Sequence, residues 1–229
     1  MTREPPVIRR LTSNGALEAD SWKAIREICR RTGDNGRPIA AERWDFFPRI
    51  WIDPYERLVP QWSYVAEADA VVGYLTGCPD TVKFSRKRFF RCTVPLLLEI
   101  ARGRLRESRD ACRFVRQALG IERKAESRFP RAVRRSIERD YPAHLHVNVE
   151  AAFRGRGIGK QLMAAYVSDL QTSGVPGVHL YCGPDPLPFY LKLDFQKVSS
   201  IEIRGAAIHA LGRSWPMPPD AGRATASRP

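Results

Sequence analysis

No stretch of this 229-residue chain stays apolar long enough to cross a bilayer. The densest run, Val94 to Ile100, falls far short of the roughly 20 residues that a spanning helix needs. The start, MTREPPVIRR, is charged and has no apolar signal-peptide core, so a soluble, cytoplasmic protein without a membrane partner is expected. Cysteine is scarce and odd in number: Cys29, Cys78, Cys92, Cys112 and Cys182 lie far apart without any CxxC spacing and read as reduced thiols. The four histidines, His144, His146, His179 and His209, do not cluster with them, which excludes a structural zinc site, and no metal is expected. There is no internal repeat. Acidic residues are also short, 25 against 38 Lys and Arg, for a formal charge of +13. That deficit is local, because residues 82–140 hold 18 Lys and Arg against 7 Asp and Glu, a net +11.

What is present suits one α/β core, since 43% of residues are hydrophobic. One domain over 1–212 is expected, with 82–140 as a basic helical insertion within it and 213–229 as a flexible tail rich in Pro, Ser and Ala. Val7 to Thr12 reads as a strand and Ala19 to Arg31 as a helix, with Trp22, Ile25 and Ile28 at helical spacing. The stretch from Thr32 to Pro60 reads as loop-rich, with aromatics able to line a cavity. Paired strands follow at Trp62–Glu67 and Val71–Gly77. In the basic segment, Val94, Leu98, Ala101, Leu105, Cys112, Val115 and Leu119 form one face of a long or broken helix with Gly103 as its weak point, and a second helix is expected near Arg131–Arg139. His144–Glu150 then reads as a strand, Gly157–Thr172 as a helix, Gly177–Cys182 as a strand and Phe189–Leu193 as a short helix, with closing strands near Val198–Arg204 and Ala207–Gly212.

The most informative stretch is LHVNVEAAFRGRGIGKQLM, where a β-rich run leads through Gly155, Gly157 and Gly159 into an amphipathic helix. Glycines allow close backbone approach, and free amides at a helix N-terminus present donors and a favourable dipole to an anion. Phosphate binding is therefore expected from Arg154 to Lys160. A Walker A loop is excluded, since Arg154 and Gln161 stand where it needs glycine and Ser or Thr. A GxGxxG dinucleotide loop starting at Gly155 fails at Lys160.

The remaining pattern, R-x-x-G-x-G at Arg154, Gly157 and Gly159, resembles the pyrophosphate motif of the GNAT superfamily of N-acetyltransferases, and PFYLKLDF resembles that family's second signature. The resemblance implies a mixed central sheet of about seven strands flanked by helices, with acetyl-CoA as cofactor. Arg154, Gly155, Arg156, Gly157, Ile158, Gly159 and Lys160 would hold the pyrophosphate. Main-chain groups of Val147, Asn148 and Val149 would pair with the pantetheine arm, with an amide there as a candidate oxyanion donor. REICRRTGD, DPYERLVP, GYLTGCPDT and YPAHLHVNV further resemble the acetyltransferase-like domains at the C-terminal end of some O-GlcNAcases and their free-standing bacterial relatives. Two positions depart from the family pattern: Gly183 stands where many relatives have asparagine, and Asp194 replaces the glycine before Phe195.

Acetyl transfer to an amine requires a neutral nitrogen, and freeing a lysine-like amine at pH 7 costs about 4 to 5 kcal/mol. A base within reach would take that proton. His144 and His146, two apart on one strand, share a face, and their AHLHV setting resembles the histidine pair that serves as base in arylalkylamine N-acetyltransferases. Glu150 and Asp80 are further base or substrate-contact candidates. Tyr190 matches the family tyrosine that protonates the departing thiolate and also reads as a cofactor contact. The acceptor is expected to be a primary amine of a small molecule or protein. A catalytically inactive acetyl-CoA-binding protein, or an RNA- or ribosome-associated module, are the alternatives. The Arg-rich insertion suits an acidic partner or nucleic acid, with no recognised RNA motif to choose between them, and both monomer and homodimer stay open.

Overall fold

The computed structural model describes residues 6–12, 16–34, 36–103, 109–118, 125–203 and 205–216. Leu105 and Leu119 of the expected helical face, Arg204 and the tail beyond residue 216 lie outside the described residues. Seven strands form one mixed sheet in the order β1-β2-β3-β4-β5-β7-β6. Strands β1 (Val7–Arg10), β2 (Ser63–Glu67), β3 (Val71–Cys78) and β4 (Ala143–Val149) pair antiparallel in succession. Strand β5 (Gly177–Cys182) runs parallel to β4 and is followed by β7 (Ala206–Ser214) and β6 (Gln196–Ile203).

Helices cover both faces, which is why β3 is buried almost throughout instead of alternating. Helix α1 (Ala16–Thr32) lays Trp22, Ile25, Ile28 and Cys29 against Val65, Tyr74 and Cys78 on one face. Helix α8 (Ile158–Thr172) lays Leu162, Met163, Tyr166 and Leu170 against Tyr64, Leu75, Leu145 and Leu180 on the other. Ala165 packs against the same cluster while partly exposed.

Residues 32–60 depart from expectation. They form two short helices, α2 (Phe47–Trp51) and α3 (Asp53–Leu58), each with a proline in its first turn. There the missing N–H is no loss and the fixed φ favours the helix, so Pro48 and Pro54 start helices instead of marking loops. Of the aromatics expected to line a cavity, Phe46, Phe47 and Tyr55 are packed into the core.

The basic segment lies between β3 and β4, neighbours in the sheet. Helix α4 (Thr81–Arg88), not anticipated from the sequence, is capped by Asp80, whose carboxylate accepts the Lys83 amide at 2.8 Å. A π-turn (Phe89–Thr93) joins it to α5 (Val94–Ala101), after which Gly103 takes φ +89° and breaks the expected long helix. Helix α6 (Arg109–Ala118) follows, and the expected face is not the buried one: Leu98, Ala101 and Cys112 are exposed, while Leu96, Ala111 and Phe114 are buried. Phe114 and Leu96 of this segment pack on Phe46 from the main fold, the two Phe rings edge to face at 5.7 Å. Helix α7 (Arg131–Asp140) buries Ile137 with Phe129 against Ala210, Tyr181 and Ile201. Complete burial of one such isoleucine contributes about 1.5–3 kcal/mol.

After the short helix α9 (Leu187–Leu191), Asp194 adopts φ 61°, the left-handed conformation in which the family pattern has glycine. Its exposed carboxylate gains only a long contact to Arg213, 3.7 Å. The strain of a side chain there outweighs that pair. Asp194→Gly is therefore expected to raise stability by about 0.5–1 kcal/mol in urea unfolding; a loss would show that the Arg213 contact dominates. No helix among the described residues is long and apolar enough to cross a membrane.

Candidate functional site

Strands β4 and β5 pair only at Ala143↔Val178 and His144↔His179. Beyond that point β4 continues along β3 to Val149 and β5 continues along β7 to Cys182, so the two strands part and open a gap in the sheet. The main chain of β4 faces this gap at alternate residues. The Glu150 amide bonds the Val72 carbonyl, and the Asn148 carbonyl lies 3.2 Å from the Cβ position of Gly73, so even-numbered residues turn their main chain toward β3. Antiparallel alternation turns the N–H and C=O of Val147 and the N–H of Val149 into the gap, while the Val149 carbonyl accepts from Arg154. Val147 and Val149 thus present main-chain groups to the gap, whereas Asn148 turns its main chain toward β3 and donates its side-chain amide to the Tyr74 hydroxyl at 2.9 Å on the α1 side.

The gap leads to the N-terminus of α8. Gly155 and Gly157 have φ +77° and +78°, and an added Cβ would meet nothing closer than 4.0 Å, so both stand in open space. A left-handed backbone, with no side chain in the way, is what glycine supplies here. The first bond of the helix is from the Gln161 amide to the Gly157 carbonyl, 3.0 Å. The amides of Ile158, Gly159 and Lys160 therefore precede the hydrogen-bond ladder and point out of the helix end. Gly159 also admits the Phe189 ring of α9, 3.1 Å from where its Cβ would be. The Arg154 guanidinium is committed to protein, donating to the Val149 carbonyl at 3.0 Å and the Gly36 carbonyl at 2.9 Å, and so fixes the loop. Arg156, over the Phe153 ring at 5.1 Å, and Lys160 are exposed at the same end.

The histidine pair shares a face as expected, ring centroids 6.0 Å apart, but the two rings are held differently. His144 is saturated. Its Nε2 lies 2.7 Å from the Tyr55 hydroxyl and its Nδ1 2.9 Å from Thr81 Oγ1 and 3.2 Å from Cys78 Sγ. Thr81 donates its one hydroxyl proton to the Pro142 carbonyl at 2.8 Å. Nδ1 of His144 therefore carries the ring proton, and Tyr55 donates to Nε2. His146 has ring contacts only, edge-on to Trp51 at 5.3 Å and to Tyr55 at 5.9 Å, and its nitrogens have no hydrogen bond among the described residues. Desolvation, then the His146, His179 and Arg88 charges, hold His144 well below the usual imidazole range. Desolvation, with Arg88 next, pushes His146 down to about 4.

Tyr190, on α9, is buried beside Phe189 and Phe195. Burial, and the neighbouring Cys182, push its phenol up, so it is protonated at neutral pH. Burial opposes ionisation of Asp80, but its bonds to the Lys83 amide and ammonium outweigh this and hold the carboxyl below the usual range. Its observed contacts are those of a helix cap. Glu150 pairs with Arg31 of α1 at 3.2 Å, at the turn after β4. Sequence reasoning missed Tyr55, Thr81 and Tyr166. The last of these, from α8, shares its one hydroxyl proton between the Cys78 and His144 carbonyls, 2.9 and 2.8 Å away, and so clamps β3 to β4 at the root of the gap. Tyr55 and Thr81 lie within DPYERLVP and GYLTGCPDT, so the signal was present as pattern without chemistry.

No protein-family model matches the chain. The crystal structure of SsHAT is similar, with TM-score 0.65 and 26% identity over 92% of this chain and 98% of that one. Ard1 from Thermoplasma volcanium, TM-score 0.51 and 14% identical, and an N-acetyltransferase from Staphylococcus aureus Mu50, TM-score 0.51 and 12% identical, share the fold over 92% of this chain and 98% and 99% of theirs. The seven-stranded mixed sheet flanked by helices is thus the GNAT fold, which the chain shares with these acetyltransferases.

Proposed function

We propose that the chain binds acetyl-CoA and transfers its acetyl group to a primary amine. One observation carries this reading: the parted strands β4 and β5, with the main chain of Val147 and the amide of Val149 facing the gap, lead to free amides at the start of α8. These features fit the cofactor. A pantetheine arm needs main-chain donors and acceptors in a slot, and a pyrophosphate needs amides around a backbone that it can approach closely. Residues 155–160 would hold the pyrophosphate, with Arg154 positioning the loop. Bound there, acetyl-CoA supplies an activated acyl group. The phenol of Tyr190, protonated because it is desolvated, is a proton donor on the α8 side of the site. His146, with free ring nitrogens, is the member of the histidine pair able to take a proton from the acceptor, while His144 positions β4 through Tyr55 and Thr81.

A second reading, acetyl-CoA binding without turnover, is favoured by the desolvation of His146. With its imidazole pushed down to about 4, protonating it at pH 7 costs about 4 kcal/mol at ~1.4 kcal/mol per unit. That is close to the cost of releasing the amine proton to water, so His146 supplies proximity without driving force. A thiol-release assay over polyamines, arylalkylamines, aminosugars and lysine peptides tests the choice. Turnover on one class, reduced about 100-fold in Tyr190→Phe with acetyl-CoA affinity kept, supports transfer. Binding with no release on any class supports the second reading, and turnover indifferent to Tyr190→Phe removes that residue's role.

A further inference from the structure

The helical run from Thr81 to Ala101 carries an outer surface that the fold leaves open. Phe84 and Leu96 face inward, 3% and 6% exposed, while Phe89 and Phe90 between them are 47% and 63% exposed. Phe89 and Phe90 lie five and six residues past Phe84, about 140° and 240° round a regular helix, so both fall away from its buried face, and the wider π-turn then brings Leu96 back inward. Two adjacent exposed phenyl rings make one apolar patch, and a patch rimmed by polar residues marks an interaction site. The two rings stand nearly perpendicular, 85°, with centroids 5.2 Å apart. They form a corner in which a flat ring stacked on one phenyl meets the edge of the other.

Cations frame this corner. Arg86, Lys87 and Arg91 are exposed, and none forms an ion pair with a described residue. Over residues 81–103 the only carboxylate against six Lys and Arg is Glu99, which bonds Arg49 at 2.8 Å. Arg88 of the same run turns inward and donates to the Ile50 carbonyl at 2.9 Å, next to Trp51 and hence to His146. Arg88 thus ties this run to the end of α2 that packs on His146.

A fitting partner offers repeated negative charge together with flat rings. An acidic peptide offers the charge without the rings. A lipid surface takes up a continuous apolar face, whereas here Arg86 stands between Val82 and Phe90 at helical spacing, beside Lys83, Lys87 and Arg91. Single-stranded nucleic acid has a phosphate and a base in every repeat, which matches cations interleaved with aromatic rings. We propose that the Arg86–Arg91 face docks a single-stranded nucleic acid, with bases on Phe89 and Phe90 and phosphates on Arg86, Lys87 and Arg91. This goes beyond acetyl transfer and stands or falls separately from it.

Fluorescence anisotropy with labelled 12-mers of rU and rA, at 50 and 200 mM salt, tests it. Binding is expected to weaken about 20-fold between the two salts, from about three phosphate contacts. Phe89→Ala/Phe90→Ala should weaken it at least tenfold at both salts with the salt slope kept, and Arg86→Glu/Lys87→Glu should flatten the slope. Both changes are at exposed positions, and unchanged melting and unchanged acetyl-CoA affinity would show that the fold is intact. Absence of binding at 50 mM salt overturns the proposal. So does binding indifferent to loss of both phenyl rings, equal competition by polyglutamate, or capture by phosphatidylserine vesicles in place of the oligomers.

Discussion

Gly157→Val is expected to abolish acetyl-CoA binding, weakening it at least 100-fold in calorimetry. Gly157 sits at φ +78° as the cap of α8, with open space where its side chain would be. Valine there meets two penalties. A branched side chain in the left-handed region is strained by about 1–2 kcal/mol, and its methyl groups fill the concavity that the amides of 158–160 face. Charge-assisted amide bonds are worth about 1.5–3 kcal/mol each, so losing two removes at least two orders of magnitude. Arg156→Ala is the contrast, because that guanidinium is exposed and rests on Phe153; it should cost well under tenfold. Undiminished binding by the valine variant, in protein that still melts cooperatively, would remove the glycine loop from the site.

The second large effect is on stability toward acid. His144, His146 and His179 are all held below the usual imidazole value, in each case mainly by desolvation. A histidine whose folded value lies below its unfolded value binds more protons when unfolded. Its contribution is complete above the unfolded value, near 6.5, and is lost as pH falls through the folded one. For His146, with a folded value of about 4, the window runs from about 6.5 to about 4 and the loss is on the order of 3 kcal/mol. The melting temperature should be level from pH 8 to 7 and fall steadily from pH 6.5 to 5, above the range in which most carboxylates titrate. His146→Gln should make that fall shallower. A melting temperature unchanged between pH 7 and 5 would contradict the burial of this cluster.

The route from β4 through the glycines to α8 was legible because its signal is local. Alternation, three glycines and a 3.6-residue period sit within about 30 consecutive residues, and the strand–loop–helix appears where expected. The different fates of His144 and His146 were not legible. Spacing puts them on one face and treats them alike, whereas what separates them is Tyr55, 89 residues away, Thr81, 63 away, and Cys78, 66 away. The helices of residues 47–58 were hidden by Pro48 and Pro54, which look like breakers until their place in the first turn is known. The exposed Phe89 and Phe90 were not anticipated because α4, whose buried Phe84 sets their phase, was not read from the sequence. Asp194 is the reverse case. The motif flagged it as a departure, and its φ of 61° shows that the backbone kept the glycine conformation when the residue changed.

Titration of the full chain with acetyl-CoA in a calorimeter, with desulfo-CoA as control, tests the central claim most directly. The account predicts saturable one-to-one binding of both, since the contacts invoked are to the pyrophosphate and the pantetheine arm and none is to sulfur. Heat no greater than dilution at millimolar ligand would contradict it, and would mean that the parted strands and the glycine loop are a fold inherited without its cofactor.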